Sequence, residues 1–451
     1  MWFRGTTFRC GAWWLFFVPS LGALMKILPI ALAATVVCVS VALQSQPAFP
    51  SADEEVRVVA ARPAVYRALT IAQELDAVSE NELIELTEIP APPFGEQARA
   101  RRYADLLLAA GLTDVGIDEI GNVVARRPGR GDGDTVALAA HLDTVFPLET
   151  DVTVRRRGNR LYAPGIGDDT RGLILVLNVA RALIQAAVRT AGDVVFVGTV
   201  GEEGIGDLRG VRHLFGNEGP GIDQFIAVDG GDDSRVVNQA IGSRRYRVAV
   251  TGPGGHSWGD FGLGNPAHAL GRAMYYFDEA ATVLVNDGLP TSYNVGRIGG
   301  GTAVNAVPQE AWAEVDLRSV DPAQLDRMDD TLFSAVERAL ADQNRRRDRG
   351  PALESHLTLI GERPSGSVDA STGLVQRALA VTRHLGLSPR FGAGSTDANV
   401  PIARGVPAVT IGRGGTGGGA HSLNEWWAPT LPNVAVQRAL LLLVASAGVI
   451  D

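Results

Sequence analysis

The sequence predicts an α/β protein with a mixed, largely parallel sheet flanked by helices, plus an inserted α+β domain. Three observations predict this fold class. Four short apolar runs lack polar alternation, helical patterns lie between them, and a middle segment changes to an alternation of apolar and charged residues. The first pattern is typical of strands buried on both faces, and the last is typical of a sheet with one face in water.

The four apolar runs predict the strands of the parallel sheet. They are residues 135–140, 193–200, 225–228 and 407–411. Helices are predicted at residues 83–86 and 101–110, after a polar linker, and at residues 173–187. Because helical segments separate the strands, parallel pairing through crossover connections is favoured.

The middle segment, residues 240–357, predicts the inserted domain. Ala313, Val315 and Leu317 alternate with charged residues, and residues 244–250 alternate in a similar way. One helix is predicted over residues 266–284, and a second begins at Asp321-Pro322, a favourable cap and first-turn pair. Residues 51–239 and 358–451 would then be the two parts of one α/β domain.

Residues 1–50 differ from the rest of the chain and predict a leader. The segment from Met25-Lys26 has one basic residue, an apolar core over residues 27–43 and then small and polar residues. This is the form of a secretory signal peptide. Met25 is therefore the expected true start, and the protein is expected to be periplasmic or secreted. The alternative is an uncleaved membrane anchor, since the core is near the lower length limit for a spanning helix.

Composition argues against some classes of function. Of the 451 residues, 46% are apolar, and a formal charge of −9 does not suggest a basic surface for nucleic acid. Both cysteines, Cys10 and Cys38, fall in the predicted leader. The mature chain would contain none, so any metal ion would be bound by histidine, aspartate and glutamate.

Acidic residues and histidines follow the predicted strands. The four strands lead in turn into His141 and Asp143, Glu202 and Glu203, Asp229, and a glycine-rich loop with His421, while Asp168 and Asp169 precede a helix. The carboxyl ends of parallel strands share one edge of a sheet, where α/β proteins bind ligands. Carboxylates gathered there would repel one another, so the pattern predicts a divalent cation.

Each cluster alone has a simpler explanation. A His-x-Asp sequence is often a structural hydrogen-bonded pair, a Glu-Glu pair in a loop is usually solvated, and Asp-Asp before a helix is commonly a cap. Asp229 before two glycines is typical of a turn, and His421 could simply be exposed. Their common position after strands favours a single site over these separate explanations.

Six motifs in this order resemble the co-catalytic zinc exopeptidases: HLDTV, GIGDDTRG, GTVGEEG, VDGG, GSTDANVP and AHSLNE. That family includes peptidase T, glutamate carboxypeptidase, acetylornithine deacetylase and succinyl-diaminopimelate desuccinylase. The resemblance extends from about Asn81 to the C-terminus. It implies a zinc-binding α/β domain interrupted by a smaller lid domain, which agrees with the insertion predicted from the residue pattern.

The resemblance also implies two divalent metal ions. His141 and Asp229 would bind one ion, Glu203 and His421 would bind the other, and Asp168 would bridge both. Zinc is the expected metal, and cobalt and manganese are the alternatives that such ligands accept.

Two further residues are implied to act beside the metals. Glu202 would be the general base for a water molecule that bridges the ions. Asp143 would orient the ring of His141. The spacing agrees with this contact, because residues i and i+2 of a strand face the same side.

The resemblance implies that five residues contact the substrate: His256, Asn305, Arg318, Ser395 and Thr396. In this family the histidine often reaches the active site of a neighbouring subunit, where it stabilises the oxyanion, so a homodimer through the lid domain is expected. From the residues alone, His256 is equally well explained as a turn residue, and Arg318 as a charge on the exposed face of a sheet.

Two features bear on the branch of the family. Thr170 and Arg171 follow the Asp-Asp pair, where lysine and glycine are common, so the contacts around the bridging ligand are expected to differ. Asp229 occupies a position where the deacetylases more often have glutamate, which favours the peptidase branch.

The predicted activity is hydrolysis of amide bonds in small peptides by a peptidase T-like exopeptidase, an aminopeptidase of di- and tripeptides. Alternatives within the family are an N-acyl-amino-acid amidohydrolase and a glutamate-type carboxypeptidase. A dizinc aminopeptidase family with the same ligand order but no lid is disfavoured, since the interval from Asp229 to His421 is long enough for an extra domain. A binding protein with an inactive site is disfavoured because every ligand and the base are present, and a purely structural protein would bind no metal.

Overall fold

The computed structural model describes residues 51–450 except residues 218, 287 and 431–433. The predicted leader, residues 1–50, lies outside the described residues. None of the helices in the described part of the chain has the length and apolar character needed to span a membrane.

The helices flank one large sheet and cover a second, smaller one. They are α1 (Ala52–Ala61), α2 (Pro63–Val78), α3 (Glu80–Thr87), α4 (Gln97–Ala109), α5 (Gly172–Gln185), α6 (Arg209–Leu214), α7 (Pro266–Asn286), α8 (Pro322–Arg345), α9 (Gly373–His384), α10 (Asn399–Ala403) and α11 (Ala435–Ala447). A wide helical turn, Ile166–Arg171, leads directly into α5.

The strands up to the start of the second sheet are β1 (Asp114–Ile117), β2 (Val123–Arg127), β3 (Val136–His141), β4 (Arg155–Arg157), β5 (Arg160–Tyr162), β6 (Arg189–Thr190), β7 (Val194–Thr199), β8 (Gln224–Val228) and β9 (Arg235–Ala240). The remaining strands are β10 (Gly242–Thr251), β11 (Gly255–His256), β12 (Thr291–Gly300), β13 (Ala306–Val307), β14 (Glu310–Ser319), β15 (Glu354–Arg363), β16 (Gly366–Ser367), β17 (Arg390–Gly394), β18 (Ala408–Ile411), β19 (Thr416–Gly418), β20 (Trp426–Ala428) and β21 (Val449–Ile450).

The large sheet has nine strands in the order β1-β2-β7-β3-β8-β18-β9-β16, with β17 paired to β9. Its centre, β7-β3-β8-β18, is parallel, whereas β2 and β9 pair antiparallel with the outer strands of this centre. The four central strands are the four apolar runs of the sequence, which confirms a mixed sheet with a parallel core. All four therefore end at the same edge of the sheet.

Both faces of the parallel centre are buried, which explains why its strands lack polar alternation. On one face, Val136 and Leu138 of β3 belong to a core that includes residues of α5 and α11. On the other face, Ala137 and Ala139 belong to a core with residues of α6 and α10. Successive residues of a strand point to opposite faces, so each face of β3 has its own apolar partner layer.

The second sheet is antiparallel and four-stranded, in the order β12-β14-β10-β15. Ala313, Val315 and Leu317 of β14 are buried in a core that includes residues of α7 and α8, as the alternation predicted. Helix α8 begins at Pro322, and the Asp321 side chain accepts a hydrogen bond from the Ala323 amide at 3.1 Å. This segment has a hydrophobic core of its own, and its role as a separate lid domain remains a prediction.

The segment before residue 83 corrects one expectation. It was predicted as a polar linker, but the structure has α1 and α2 there. Val56 and Ala60 of α1, and Val65, Ala68 and Ala72 of α2, are buried in the main core at spacings of three to four residues. The charged residues between them give the segment a polar average, although its apolar side chains share one helical face.

Leu332→Ala tests the core of the second sheet. Leu332 of α8 is fully buried there, so its truncation leaves a cavity and is expected to lower the free energy of unfolding by about 2–5 kcal/mol. Urea unfolding followed by the fluorescence of Trp312, which lies on β14, would measure the loss. Leu148→Ala is the matched control, because Leu148 is 58% exposed and its truncation should cost within about 0.5 kcal/mol. Equal effects of the two substitutions would contradict the packing described for α8.

Candidate metal centre

The carboxyl edge of the parallel centre gathers the predicted ligands. His141 is the last residue of β3, Glu203 lies four residues after β7, and Asp229 directly follows β8. Asp168 lies in the helical turn before α5, and His421 lies in the loop between β19 and β20. The structure therefore brings together side chains that are up to hundreds of residues apart in the sequence.

The ligand atoms form two overlapping triads. One atom each from His141, Asp168 and Asp229 lie within 4.8 Å of one another, and the same holds for Asp168, Glu203 and His421. Asp168 is common to both triads, as expected for a bridging ligand. His141, Glu202 and Glu203 form a third such group.

Asp168 lies between the two histidines. Its Oδ1 is 3.3 Å from Nε2 of His141, and its Oδ2 is 3.3 Å from Nε2 of His421. Burial alone would raise the pKa of Asp168, but the hydrogen bonds from the two imidazoles hold it well below its usual range. Hydrogen bonds to Asp168 and Glu203 raise the pKa of His421 to about 10, and the His421–Glu203 contact is 2.7 Å.

Asp229 completes the cluster of carboxylates at this edge. Burial and, to a smaller extent, the negative charge of Asp168 together raise the pKa of Asp229 to about 6. The repulsion between these two groups is the electrostatic cost that a cation would relieve. Asp169 adds to it, because its buried Oδ1 has no hydrogen-bond partner among the described residues while its Oδ2 accepts from the His141 amide at 3.2 Å.

Asp143 holds two segments of backbone together. The ring of His141 donates from Nδ1 to the main-chain carbonyl of Asp143 at 2.9 Å, whereas the Asp143 carboxylate is 3.7 Å from the same nitrogen. The carboxylate instead accepts hydrogen bonds from the amides of Glu202 at 2.9 Å and Glu203 at 2.8 Å. The ring of His141 is therefore contacted by the carbonyl of Asp143, while the Asp143 carboxylate binds the Glu202 and Glu203 amides; the orienting role of Asp143 stays a prediction.

Glu202 is the carboxylate of the cluster that pairs with a buried arginine. It is 4% exposed, and its Oε1 accepts a hydrogen bond from Nη1 of Arg363 at 2.9 Å. Burial raises the pKa of Glu202 well above its usual range, although the charge of Arg363 opposes the shift. Arg363 Nη1 also donates to Ser395 Oγ at 3.1 Å, which links the base candidate to the predicted substrate loop.

Three site residues were not predicted from the sequence: Arg363, Arg413 and Glu425. Arg413 is buried, with Nη1 3.5 Å from Asp229 Oδ1 and 3.6 Å from Asp168 Oδ1. Glu425 accepts hydrogen bonds from the amides of Gly165, Gly167 and Asp168 at 2.8–2.9 Å and so fixes the turn that carries Asp168.

The sequence contained a signal for only one of these three. Glu425 is the final residue of the AHSLNE motif, so its position was already marked. Arg413 lies in a glycine-rich loop and Arg363 at the end of β15, where nothing local distinguishes them from solvated arginines. Their role comes from contacts across about 160–245 residues of chain, which no local pattern encodes.

A cavity of about 450 Å³ opens beside the two triads. It is lined by the carboxylates of the site, by His421, and by three of the predicted substrate residues, Arg318, Ser395 and Thr396. Two others lie elsewhere in this chain. His256 is exposed on β11, which pairs with β13, and Asn305 precedes β13, with its carbonyl accepting from the Ser257 amide at 2.9 Å.

The unusual Thr170-Arg171 pair points away from the ligands. Thr170 Oγ1 donates to the Gly165 carbonyl at 2.8 Å and closes the turn. Arg171 is buried, forms an ion pair with Asp76 of α2, and has its guanidinium 5.2 Å from the ring centre of Trp427. The pair therefore anchors the turn to neighbouring elements and leaves Asp168 free to face the cavity.

The donor set suits divalent cations. Each triad offers one imidazole nitrogen and two carboxylates, a combination that zinc, cobalt and manganese accept. The second ring nitrogen of His141 is fixed by a carbonyl, as is common for metal-binding histidines. The buried, mutually repelling carboxylates and the unpartnered Asp169 oxygen are consistent with the same conclusion.

Comparison with known proteins agrees with this geometry. Residues 137–445 match Peptidase family M20/M25/M40. The chain is 25% identical over 342 residues to carboxypeptidase G2 of Pseudomonas sp. strain RS-16, covering 72% of this chain and 77% of that protein. It is also 25% identical over 336 residues to succinyl-diaminopimelate desuccinylase of Corynebacterium glutamicum, covering 73% and 86%.

A solved structure shares the fold. A tripeptidase from Staphylococcus aureus superposes with a TM-score of 0.67 and 22% sequence identity, covering 82% of this chain and 96% of that chain. The family match, with its hydrolase relatives and the grouped candidate ligands, defines a metal-dependent hydrolase of peptide or amide bonds. The chain belongs to Peptidase family M20/M25/M40, which confirms the resemblance seen in the motifs.

His421 gives the centre a pH dependence in protein treated with a chelator. Because its pKa is raised from 6.5 to about 10, its ion pairs stabilise the fold fully below pH 6.5, and this contribution is lost as the pH rises toward 10. A cation binds the neutral imidazole and must displace the proton, so zinc affinity is expected to rise over the same range.

Titration calorimetry in two buffers of different ionisation enthalpy would count the protons released when zinc binds. His421→Ala is expected to lower both the proton release and the affinity. His268→Ala, at an exposed position on α7, is the control that should change neither. Unchanged proton release in the His421 variant would show that this residue is not a ligand.

Proposed function

We propose that this protein is a dinuclear metal-dependent exopeptidase that hydrolyses small peptides, in the manner of a di- or tripeptide aminopeptidase. The observation that carries the proposal is the pair of triads that share Asp168. A shared carboxylate between two cation sites is the arrangement that activates water in two-metal hydrolases.

Five side chains would hold the metals. His141 and Asp229 would bind one ion, Glu203 and His421 the other, and Asp168 would contact both. Zinc is the first candidate, and cobalt and manganese remain alternatives for the same ligands. When bound, such ions would polarise the scissile carbonyl and lower the pKa of a bound water molecule.

Glu202 would act as the general base and then as the acid toward the leaving amine. Glu202 lies beside the ligand cluster. Burial raises the pKa of its carboxyl group, which makes the carboxylate a stronger base. The hydrogen bond from Arg363 and the Asp143 contacts to the Glu202 and Glu203 amides hold the carboxylate in place. The two neighbouring glutamates thereby take different tasks.

The substrate would bind in the cavity beside the triads. Arg318 would bind its carboxylate, and Ser395 and Thr396 would line the space around it. His256 and Asn305 lie outside the cavity of this chain, so we propose that a second subunit supplies them in a homodimer. We further propose that the leader directs the protein out of the cytoplasm, with membrane anchoring as the alternative.

A second candidate is hydrolysis of N-acyl amino acids or of C-terminal glutamate. The similarity to a desuccinylase and to carboxypeptidase G2 supports it, whereas the fold shared with a tripeptidase and the Asp229 ligand support the peptidase. Incubation with di- and tripeptides beside N-acetyl and N-succinyl amino acids, with the released amines identified, separates the two. Release of the N-terminal residue from tripeptides supports the proposal, whereas release of a C-terminal residue from tripeptides, or cleavage of acylated amino acids alone, supports the second candidate.

Metal content tests the two-ion assignment. The purified protein is expected to bind about two divalent ions per chain. Asp229→Ala should lose one of them, whereas Asp168→Ala should weaken both, because Asp168 belongs to both triads. Elemental analysis after dialysis would measure the content, and Asp151→Ala, at an exposed position, is the control. One ion per chain in the unaltered protein, or two in the Asp229 variant, would contradict the assignment.

Glu202→Gln tests the general base. The amide keeps the shape but cannot take a proton, so the turnover number is expected to fall by about 100- to 10,000-fold. Metal content should be unchanged, and it must be measured because Glu202 lies within reach of a metal. Glu149→Gln, at an exposed site, should leave turnover near that of the unaltered protein. Near-normal turnover in a fully metal-loaded Glu202 variant would exclude the role.

A further inference from the structure

We infer that the cavity accepts a substrate with two anionic groups, one at Arg245 and Arg318 and the other at Arg235. The inference rests on the proposed function, because it names the substrate class of the same site. Four arginines line the cavity: Arg235, Arg245, Arg318 and Arg363. Their internal partners decide which of them are available to a ligand.

Arg363 is neutralised within the protein. Its guanidinium contacts the Glu202 carboxylate at 2.9 Å, and both side chains are less than a tenth exposed. If Arg363 bound a ligand instead, the Glu202 carboxylate would be left buried without its partner, which is strongly unfavourable. Arg363 therefore positions the base and is not a binding group for the substrate.

Arg245 of β10 and Arg318 of β14 share a single carboxylate. Asp316 accepts from Arg245 Nε at 3.1 Å through Oδ1 and from Arg318 Nε at 2.6 Å through Oδ2. The Arg245 Nη1 group also donates to the Gly204 carbonyl at 3.3 Å, next to the ligand loop. Two cations against one anion leave an excess positive charge, and the planar guanidinium suits a carboxylate ligand.

Arg235 provides a second positive group, from the large sheet. It begins β9, and its Nη2 donates to the Ala393 carbonyl. A Cβ at position 392 would lie 2.2 Å from Arg235 Nε, so Gly392 leaves the space that this side chain occupies. In the described part of the chain, the Arg235 guanidinium forms no ion pair. Its charge is therefore available to a ligand.

The rest of the cavity suits small polar groups. Among the described lining residues, none is aromatic, and Val145 and Val237 are the aliphatic side chains. Thr396 and Thr410 contribute hydroxyl groups that are 2.7 Å apart. A large apolar side chain would find little surface to bury in this space of about 450 Å³.

Once cations are bound, the negative charge of the metal ligands no longer offsets the positive charge of the arginines. Asp168, Glu203 and Asp229 carry three negative charges, whereas two divalent cations carry four positive ones. The substrate class that meets both arginine groups is a small amide of aspartate or glutamate, whose α-carboxylate and side-chain carboxylate supply two anions.

Matched substrates test this class on the metal-loaded full-length protein. Ala-Glu is compared with Ala-Gln, and N-acetyl-glutamate with N-acetyl-glutamine, since each pair differs only in one carboxylate. The value of kcat/KM is expected to be about 10- to 100-fold higher for the acidic member of the pair that is hydrolysed.

Arg235→Gln should remove that preference by lowering kcat/KM for the acidic member while changing it little for the amide. Arg235→Lys keeps the charge without the fork of donors and should retain part of the preference, which guards against a folding defect in the first variant. Arg404→Gln, at an exposed position after α10, is the control that should retain all of it.

A binding measurement separates this inference from the proposed activity. Calorimetry with succinate and with butyrate compares two carboxylates with one, and needs no turnover. Tighter binding of succinate that depends on Arg235 supports the inference even if none of the amides is cleaved. Equal kcat/KM for glutamate and glutamine substrates, together with equal binding of succinate and butyrate, overturns the inference and leaves the peptidase proposal standing.

Discussion

The close approach of Asp168, Glu203 and Asp229 is the constraint on which the rest of the structure depends. Asp168 has oxygens within 4.8 Å of both an Asp229 oxygen and a Glu203 oxygen, and carboxylates this close repel one another strongly when buried. In this chain the two imidazoles and the Arg413 guanidinium beside Asp168 and Asp229 offset part of this repulsion. Such an arrangement is stable only if the surrounding backbone cannot move apart.

The backbone is fixed by carboxylates that bind amides and not metals. Asp143 accepts from the amides of Glu202 and Glu203, and Glu425 accepts from three amides of the turn that carries Asp168. A carboxylate that receives two or three amide hydrogen bonds is both satisfied and rigidly placed. The parallel sheet brings the predicted ligands to a common edge. The hydrogen bonds to Asp143 and Glu425 then fix the backbone of the segments that carry Asp168 and Glu203 at that edge.

How well the sequence predicted each feature depends on how far apart in the chain the interacting residues are. The four central strands and the face of β14 that carries Ala313, Val315 and Leu317 were predicted, because burial imprints a local period on the sequence. Helices α1 and α2 were not predicted, because the charged residues between their apolar side chains make the segment look polar on average. Arg363 and Arg413 were missed for a different reason, because each is defined by a partner far away in the chain.

The metal-ligand edge of the large sheet contributes negatively charged side chains to the cavity, and the second sheet contributes positively charged ones. The large sheet presents carboxylates that require cations, while the second sheet presents Arg245 and Arg318, which outnumber their shared Asp316 and require an anion. Metal ions alone would meet the first requirement and leave the second open. The acidic substrate inferred for this cavity would meet the second requirement. We therefore expect charge balance, more than shape, to decide which amides this cavity binds.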